Sequence, residues 1–126
     1  MAAIVEASRR DGWKDKHNAE VVAVFGNKVE AQGLVRADQM GLATGALDHK
    51  AFAFRDSFDA AMMAQIDRFE PALVVLAGFM RILTPSFVEH YAGRLINIHP
   101  SLLPAFAGLN THQRAINAGC KFAGCT

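Results

Sequence analysis

The 126-residue sequence is poor in cysteine, carries almost no surplus charge and has no long hydrophobic run. Cys120 and Cys125 are its only cysteines. Two thiols near one end do not make a disulfide-framed secreted scaffold, and the expected setting is reducing and cytoplasmic. Thirteen Lys and Arg against twelve Asp and Glu leave a formal charge of +1, too little for the basic field of a dedicated nucleic-acid binder. The longest clean apolar run, residues 72–80, has nine residues, whereas a helix needs roughly 20 to cross a bilayer. At the start, Glu6 follows closely on Met1 and the basic pair Arg9 and Arg10 comes after the apolar part, the reverse of a secretory signal peptide. Neither a GxGxxG nor a P-loop occurs, so nothing announces a phosphate site. His90, His99 and His112 lack metal-ligand spacing and the cysteines form no CxxC pair, so no metal is expected.

What is present points to a folded α/β domain. Hydrophobic residues make up 52% and charged residues 20%, which excludes disorder as the main state. At roughly 150 residues per domain the chain holds one. Residues 21–25 (Val-Val-Ala-Val-Phe) and 73–77 (Leu-Val-Val-Leu-Ala) are apolar without alternation, as strands covered on both faces are. Weaker strands are expected at residues 43–47 and 94–98. Between them lie helical patterns. Asn27 with Glu30 three residues on reads as a capping box; Ala31, Leu34, Val35 and Met40 follow at helical spacing and Gly41 sits where a helix stops. Phe58, Met62, Ile66 and Phe69 line a second helix over residues 57–69, stopped by Pro71. Thr84 and Pro85 open a short helix to about His90, and Thr111 caps a last one ending at Gly119. Strand–helix–strand order of this kind predicts a doubly wound, mostly parallel α/β sheet.

The ends fit that scheme poorly. Residues 1–10 have helical spacing at Ile4, Val5 and Ser8 but no strand leading in. Residues 122–126 read as the start of a further strand. The expectation is therefore one domain over residues 1–126, incomplete at both ends.

Two segments can carry chemistry. Asn97 and His99 lie two apart at the end of an expected strand, so both side chains face one way, and strand carboxyl ends are where open α/β sheets place ligands. An amide donor beside an imidazole suits acyl-type transfer, the amide holding a developing oxyanion and the imidazole handling a proton. The same residues also fit a plain turn stiffened by Pro100 and Pro104. The second segment, Gly78 to Leu83, follows the most apolar strand and can form a pocket with apolar walls and exposed backbone groups, or ordinary loop packing with Arg81 solvated. Arg9, Arg10, Lys14 and Lys16 around Trp13 read as a solvated helix end rather than a nucleic-acid patch.

Residues 74–83 (Val-Val-Leu-Ala-Gly-Phe-Met-Arg-Ile-Leu), 96–104 (Ile-Asn-Ile-His-Pro-Ser-Leu-Leu-Pro) and 108–112 (Gly-Leu-Asn-Thr-His) together resemble the phosphoribosylglycinamide formyltransferase family, in order and spacing over essentially the whole chain. The resemblance implies a Rossmann-like formyltransferase fold. It implies transfer of a formyl group from 10-formyltetrahydrofolate to the amine of glycinamide ribonucleotide, in purine biosynthesis, through a tetrahedral intermediate and without a metal. By position, Asn97 would hold the oxyanion and His99 would act as general acid and oxyanion partner. Met80, Arg81, Ile82, Leu83 and Asn97 would contact the folate, with Arg55 at its outer part. Pro100 and the loop from Leu102 to about His112, which carries Gly108, would border the ribonucleotide, the loop as a mobile lid. The partners implied are these small molecules, with no nucleic acid and no membrane, in a monomer or homodimer. Ala107 stands where the family commonly has proline and Asn110 where it has histidine. The family's glycine-rich phosphate loop and catalytic aspartate fall outside these residues, so the 126-residue chain alone is expected to be inactive. Alternatives are a methionyl-tRNA or nucleotide-sugar formyltransferase, a formyltetrahydrofolate hydrolase, and a non-catalytic folate-binding module.

Overall fold

The computed structural model describes residues 1–126. In chain order it contains α1 (Ala2–Arg10), α2 (Trp13–His17), β1 (Ala23–Gly26), α3 (Gln32–Gln39), β2 (Ala43–Ala46), a 3₁₀ turn (His49–Ala51), α4 (Arg55–Asp67), β3 (Val74–Ala77), α5 (Pro85–His90), β4 (Leu95–Ile98) and α6 (Thr111–Asn117). Both strand pairs, β1 with β2 and β3 with β4, are parallel. Helices fill each crossover, so the expected α/β alternation holds. The chain divides into two compact units, Met1–Pro71 with Leu83–Phe87, and Ala72–Ile82 with Val88–Thr126.

In the first unit, α1 buries Val5 and Ser8, two of the three residues whose spacing predicted the helix. Helix α3 corrects an expectation. Asn27 caps nothing: the chain turns at Lys28, whose carbonyl accepts from Ala31, and the helix begins five residues after Asn27 with Ala31 at the cap position. A capping box is a local signal. Here the packing of α3 on β1 overrides it, because a Cβ on Gly26 would come within 3.1 Å of Leu34, so strand and helix are already in close approach. The buried stripe is Leu34 and Ala37, while Val35 stays 48% exposed. Helix α3 stops as expected. Gly41 takes φ +76°, which glycine adopts without a Cβ penalty. Its N–H donates to Asp38 and that of Leu42 to Ala37, the pair of bonds that closes a Schellman turn.

Strand ends are set by pairing rather than by the apolar runs. Strand β1 starts two residues after Val21, at Ala23, where Ala43 becomes available opposite it. Opposite Phe25 stands Gly45, and the ring of Phe25 meets Phe69 edge-on at 5.8 Å. A Cβ at Gly45 would overlap the Phe25 ring. Gly45→Ala is expected to cost about 1–3 kcal/mol, the usual range for overpacking. A urea midpoint unchanged from the parent would refute that. Helix α4 begins at Arg55, two residues before the expected Ser57, and buries Phe58, Asp59 and Ile66. Asp59 is 2% exposed, and its carboxylate accepts the N–H of Thr84 at 2.8 Å. Thr84 in turn accepts from Phe87 at 3.4 Å, so Thr84 and Pro85 open α5 as the sequence indicates.

In the second unit, β3 and β4 pair in register from Val74 with Leu95 to Ala77 with Ile98. Full cover on both faces is not found: Val75, Ile96 and Ile98 are 36%, 50% and 45% exposed. Tyr91 is fully buried, with the Arg94 guanidinium 4.9 Å from its ring centre. Helix α6 begins at Thr111, not after it. Asn110 holds the cap position with φ +55°, a left-handed conformation that asparagine tolerates better than most residues. Gly119 lies where expected, closing the helix with bonds to Ile116 and from Cys120 to Ala115. No helix is long and apolar enough to cross a membrane.

Candidate functional site

The Asn97–His99 segment leaves the carboxyl end of β4, one of two parallel strands. Asn97 pairs with Leu76 and is exposed. His99 follows one residue beyond the strand. Its imidazole is only partly covered as a whole, yet Nε2 is shielded from solvent and has no hydrogen-bond partner. A buried polar atom without a partner costs about 1–3 kcal/mol, so such an atom at a strand end is a candidate ligand contact.

The backbone around His99 is heavily bonded. Its N–H donates to the carbonyl of Thr126 at 2.7 Å, and its carbonyl accepts from Thr126 and Ser101, both at 2.9 Å. The Thr126 hydroxyl donates to the Ser101 carbonyl at 2.8 Å and accepts from the Leu103 N–H at 2.9 Å. Thus residues 122–126 do not form a regular strand, but Thr126 makes the two-bond exchange of an antiparallel pair.

Beyond His99, the loop that carries Pro100 and Gly108 is tied down from inside. The Ser101 hydroxyl, 5% exposed as a residue, donates to Ala105 at 2.7 Å and lies 3.3 Å from the Phe106 carbonyl. From α6, Arg114 donates to the Ala107 carbonyl at 2.6 Å and lies 5.7 Å from the Phe106 ring centre. The contact at Ala107 uses only backbone, so the absence of proline there does not remove it. A cavity of about 150 Å³ under this loop is lined by Ser101, Leu102, Phe106, His112 and Cys120, below the 300–1,000 Å³ typical of ligand pockets. A larger cavity, about 600 Å³, lies among α1, α2 and the segments leading into β1 and β2 in the first unit, bordered by Ser8, Arg9, Glu20 and Leu42. It holds none of the expected site residues.

At the end of β3, Gly78 takes φ +68° and turns the chain into the second expected segment. Met80 and Ile82 are 62% and 76% exposed; Arg81 and Leu83 are half-buried. The second unit therefore carries Met80, Arg81, Ile82, Asn97, His99, Pro100 and Gly108, and the first carries Leu83 and Arg55. Arg55 is exposed in the first turn of α4. Thr126, Ser101, Arg114 and Asp59 were not among the expected residues.

Two of the four cations in the basic cluster are ion-paired. Arg10 pairs with Asp11 at 2.7 Å and Lys14 with Glu20 at 2.9 Å, while Arg9 donates to the Met40 carbonyl. The hydrogen bond from Arg10 holds the Asp11 carboxyl below its ordinary range, and the bond to Glu20 raises the Lys14 ammonium above its own.

The comparisons agree with this architecture. The chain is 50% identical over 119 residues to the phosphoribosylglycinamide formyltransferase of Escherichia coli, covering 94% of this chain and 54% of that protein. It is 44% identical over 108 residues to the trifunctional purine biosynthetic protein adenosine-3 of Gallus gallus, covering 86% of this chain and 11% of that one. Among solved structures, the phosphoribosylglycinamide formyltransferase of Bacillus halodurans superposes with a TM-score of 0.89 at 34% identity, over 99% of this chain and 62% of that one. The chain thus spans about half the length of the Escherichia coli relative. The family model described as formyl transferase matches residues 1–126, and the chain belongs to the formyl transferase family.

Proposed function

We propose that this chain is the central part of one catalytic domain that transfers a formyl group from 10-formyltetrahydrofolate to the amine of glycinamide ribonucleotide, in the cytoplasm, as a step of purine biosynthesis. The observation that carries the reading is His99: a buried, unpartnered Nε2 at the carboxyl end of a parallel strand, two residues from the exposed amide of Asn97. When bound, the folate supplies the formyl group. The amide N–H of Asn97 donates to the formyl oxygen as the attacking amine pushes charge onto it. His99 manages the proton that the amine loses and the leaving nitrogen gains. Met80, Arg81, Ile82 and Leu83 offer backbone groups and apolar walls to the pterin ring, with Arg55 toward the outer part of the cofactor. Pro100 and Gly108 border the ribonucleotide. Asn110, in place of histidine, removes one imidazole contact from that border. The partners are these two small molecules, with no role for nucleic acid, membrane or metal.

The test is a competition among acceptors, using the full encoded protein. 10-Formyltetrahydrofolate is offered with glycinamide ribonucleotide, with charged initiator tRNA, and with water alone. Formyl transfer to the ribonucleotide at least a hundredfold faster than to either competitor is the expected result. Preferential formylation of the tRNA or release of formate overturns the choice of substrate. Folate binding in calorimetry with no transfer to any acceptor overturns the catalytic reading.

A further inference from the structure

We propose that Thr126 is a positioning residue for His99, an inference that rests on the functional reading above. The segment 99–103 gains no backbone donor from residue 100, because proline has no N–H. Its fastening falls to the groups on either side, and Thr126 takes four of them. It accepts from the His99 N–H at 2.7 Å and donates to the His99 carbonyl at 2.9 Å. Its hydroxyl donates to the Ser101 carbonyl at 2.8 Å and accepts from the Leu103 N–H at 2.9 Å.

A hydroxyl has one donor and two acceptor positions. Here one side chain spans the turn just beyond the imidazole, using the donor and one acceptor. The link continues through Ser101, whose own hydroxyl holds the Ala105 carbonyl at 2.7 Å. Thr126 therefore couples the backbone that aims the imidazole to the loop bordering the ribonucleotide. It touches no reacting atom in this role. It fixes where the imidazole starts from, and a misplacement of about 1 Å in a reacting group can cost a hundredfold in rate.

The variants are Thr126→Val, which keeps the branched shape and deletes the hydroxyl, and Thr126→Ser, which keeps the hydroxyl. Both are made in the full encoded protein and again with His99→Ala. Thr126→Val is expected to lower kcat about ten- to hundredfold with both KM values within twofold; Thr126→Ser is expected to restore kcat to within about threefold of the parent. On the His99→Ala background, Thr126→Val should add less than twofold, since residues acting through one another are not additive. Parent-like kcat in Thr126→Val overturns the proposal, and so does a full additional loss on the His99→Ala background. Independently of any reaction, the His99 ring resonances in a nitrogen-labelled sample should move in Thr126→Val and stay in place in Thr126→Ser. An unmoved ring in Thr126→Val overturns the positioning role even if the acceptor proves to be another compound. A parent protein with no formyl transfer, together with a ring that moves as described, fails the functional reading alone.

Discussion

Replacing His99 by alanine is expected to lower formyl-transfer turnover by about 10²–10⁴-fold, the usual contribution of a positioned acid–base group. If His99 handles the proton as proposed, the effect should fall on kcat more than on KM, since the imidazole would then act when the proton moves rather than when the ligands dock. Stability should respond in the opposite sense. Nε2 is buried and unpartnered in the folded chain, at a cost of about 1–3 kcal/mol. Exchanging the ring for a leucine side chain removes that cost and keeps apolar volume. His99→Leu should therefore unfold at the same or a higher urea concentration than the parent while being as inactive as His99→Ala. Catalytic groups are commonly held at such a cost to the fold. Single-turnover kinetics and urea unfolding on the same preparations decide it. Activity within threefold of the parent in either variant would remove His99 from the chemistry.

The fold was legible where one short stretch of sequence carries the whole cause. Gly41 and Gly119 mark helix ends because the conformation they adopt is local, and Thr84 with Pro85 opens α5 for the same reason. Expectations failed where a distant residue decides. Asn27 and Glu30 have the chemistry of a cap, but α3 starts later, packed through Leu34 against Gly26. One failure is local: Asn110, next to Thr111, takes the cap position through a left-handed backbone that no periodicity reveals. The apolar run at residues 73–77 suggested cover on both faces, whereas the alternate exposure of Val75 and Ala77 shows one face open.

The same division runs through the candidate site. Asn97, His99 and Pro100 are adjacent, so their spacing at a strand end was readable. Thr126, Ser101 and Arg114 act across 4 to 25 residues of chain through single hydroxyl or guanidinium bonds to backbone carbonyls. Such bonds leave no pattern in sequence, because any residue supplies the acceptor. Asp59 illustrates the point: a carboxylate on an amphipathic helix reads as solvated, yet it is buried and holds the Thr84 N–H, 25 residues away.

Asn97→Ala is expected to reduce kcat by about 10²–10³-fold, corresponding to loss of one oxyanion donor at about 2.7–4 kcal/mol. Asn97 is exposed and contributes its backbone, not its side chain, to the pairing with Leu76. Its truncation should leave stability within about 0.5 kcal/mol, as for other surface changes. A large loss of rate with an unmoved unfolding midpoint would separate chemistry from folding at this position. Asn97→Asp sharpens the test, because it preserves shape while replacing the amide donor with an acceptor-only carboxylate. If Asn97 stabilises developing negative charge, the aspartate variant must be at least as slow as the alanine variant, since it adds repulsion to the missing bond. If Asn97 only shapes the strand end, the near-isosteric aspartate should be the faster of the two. The order of the two rates therefore decides between electrostatic stabilisation and shape without reference to their absolute values.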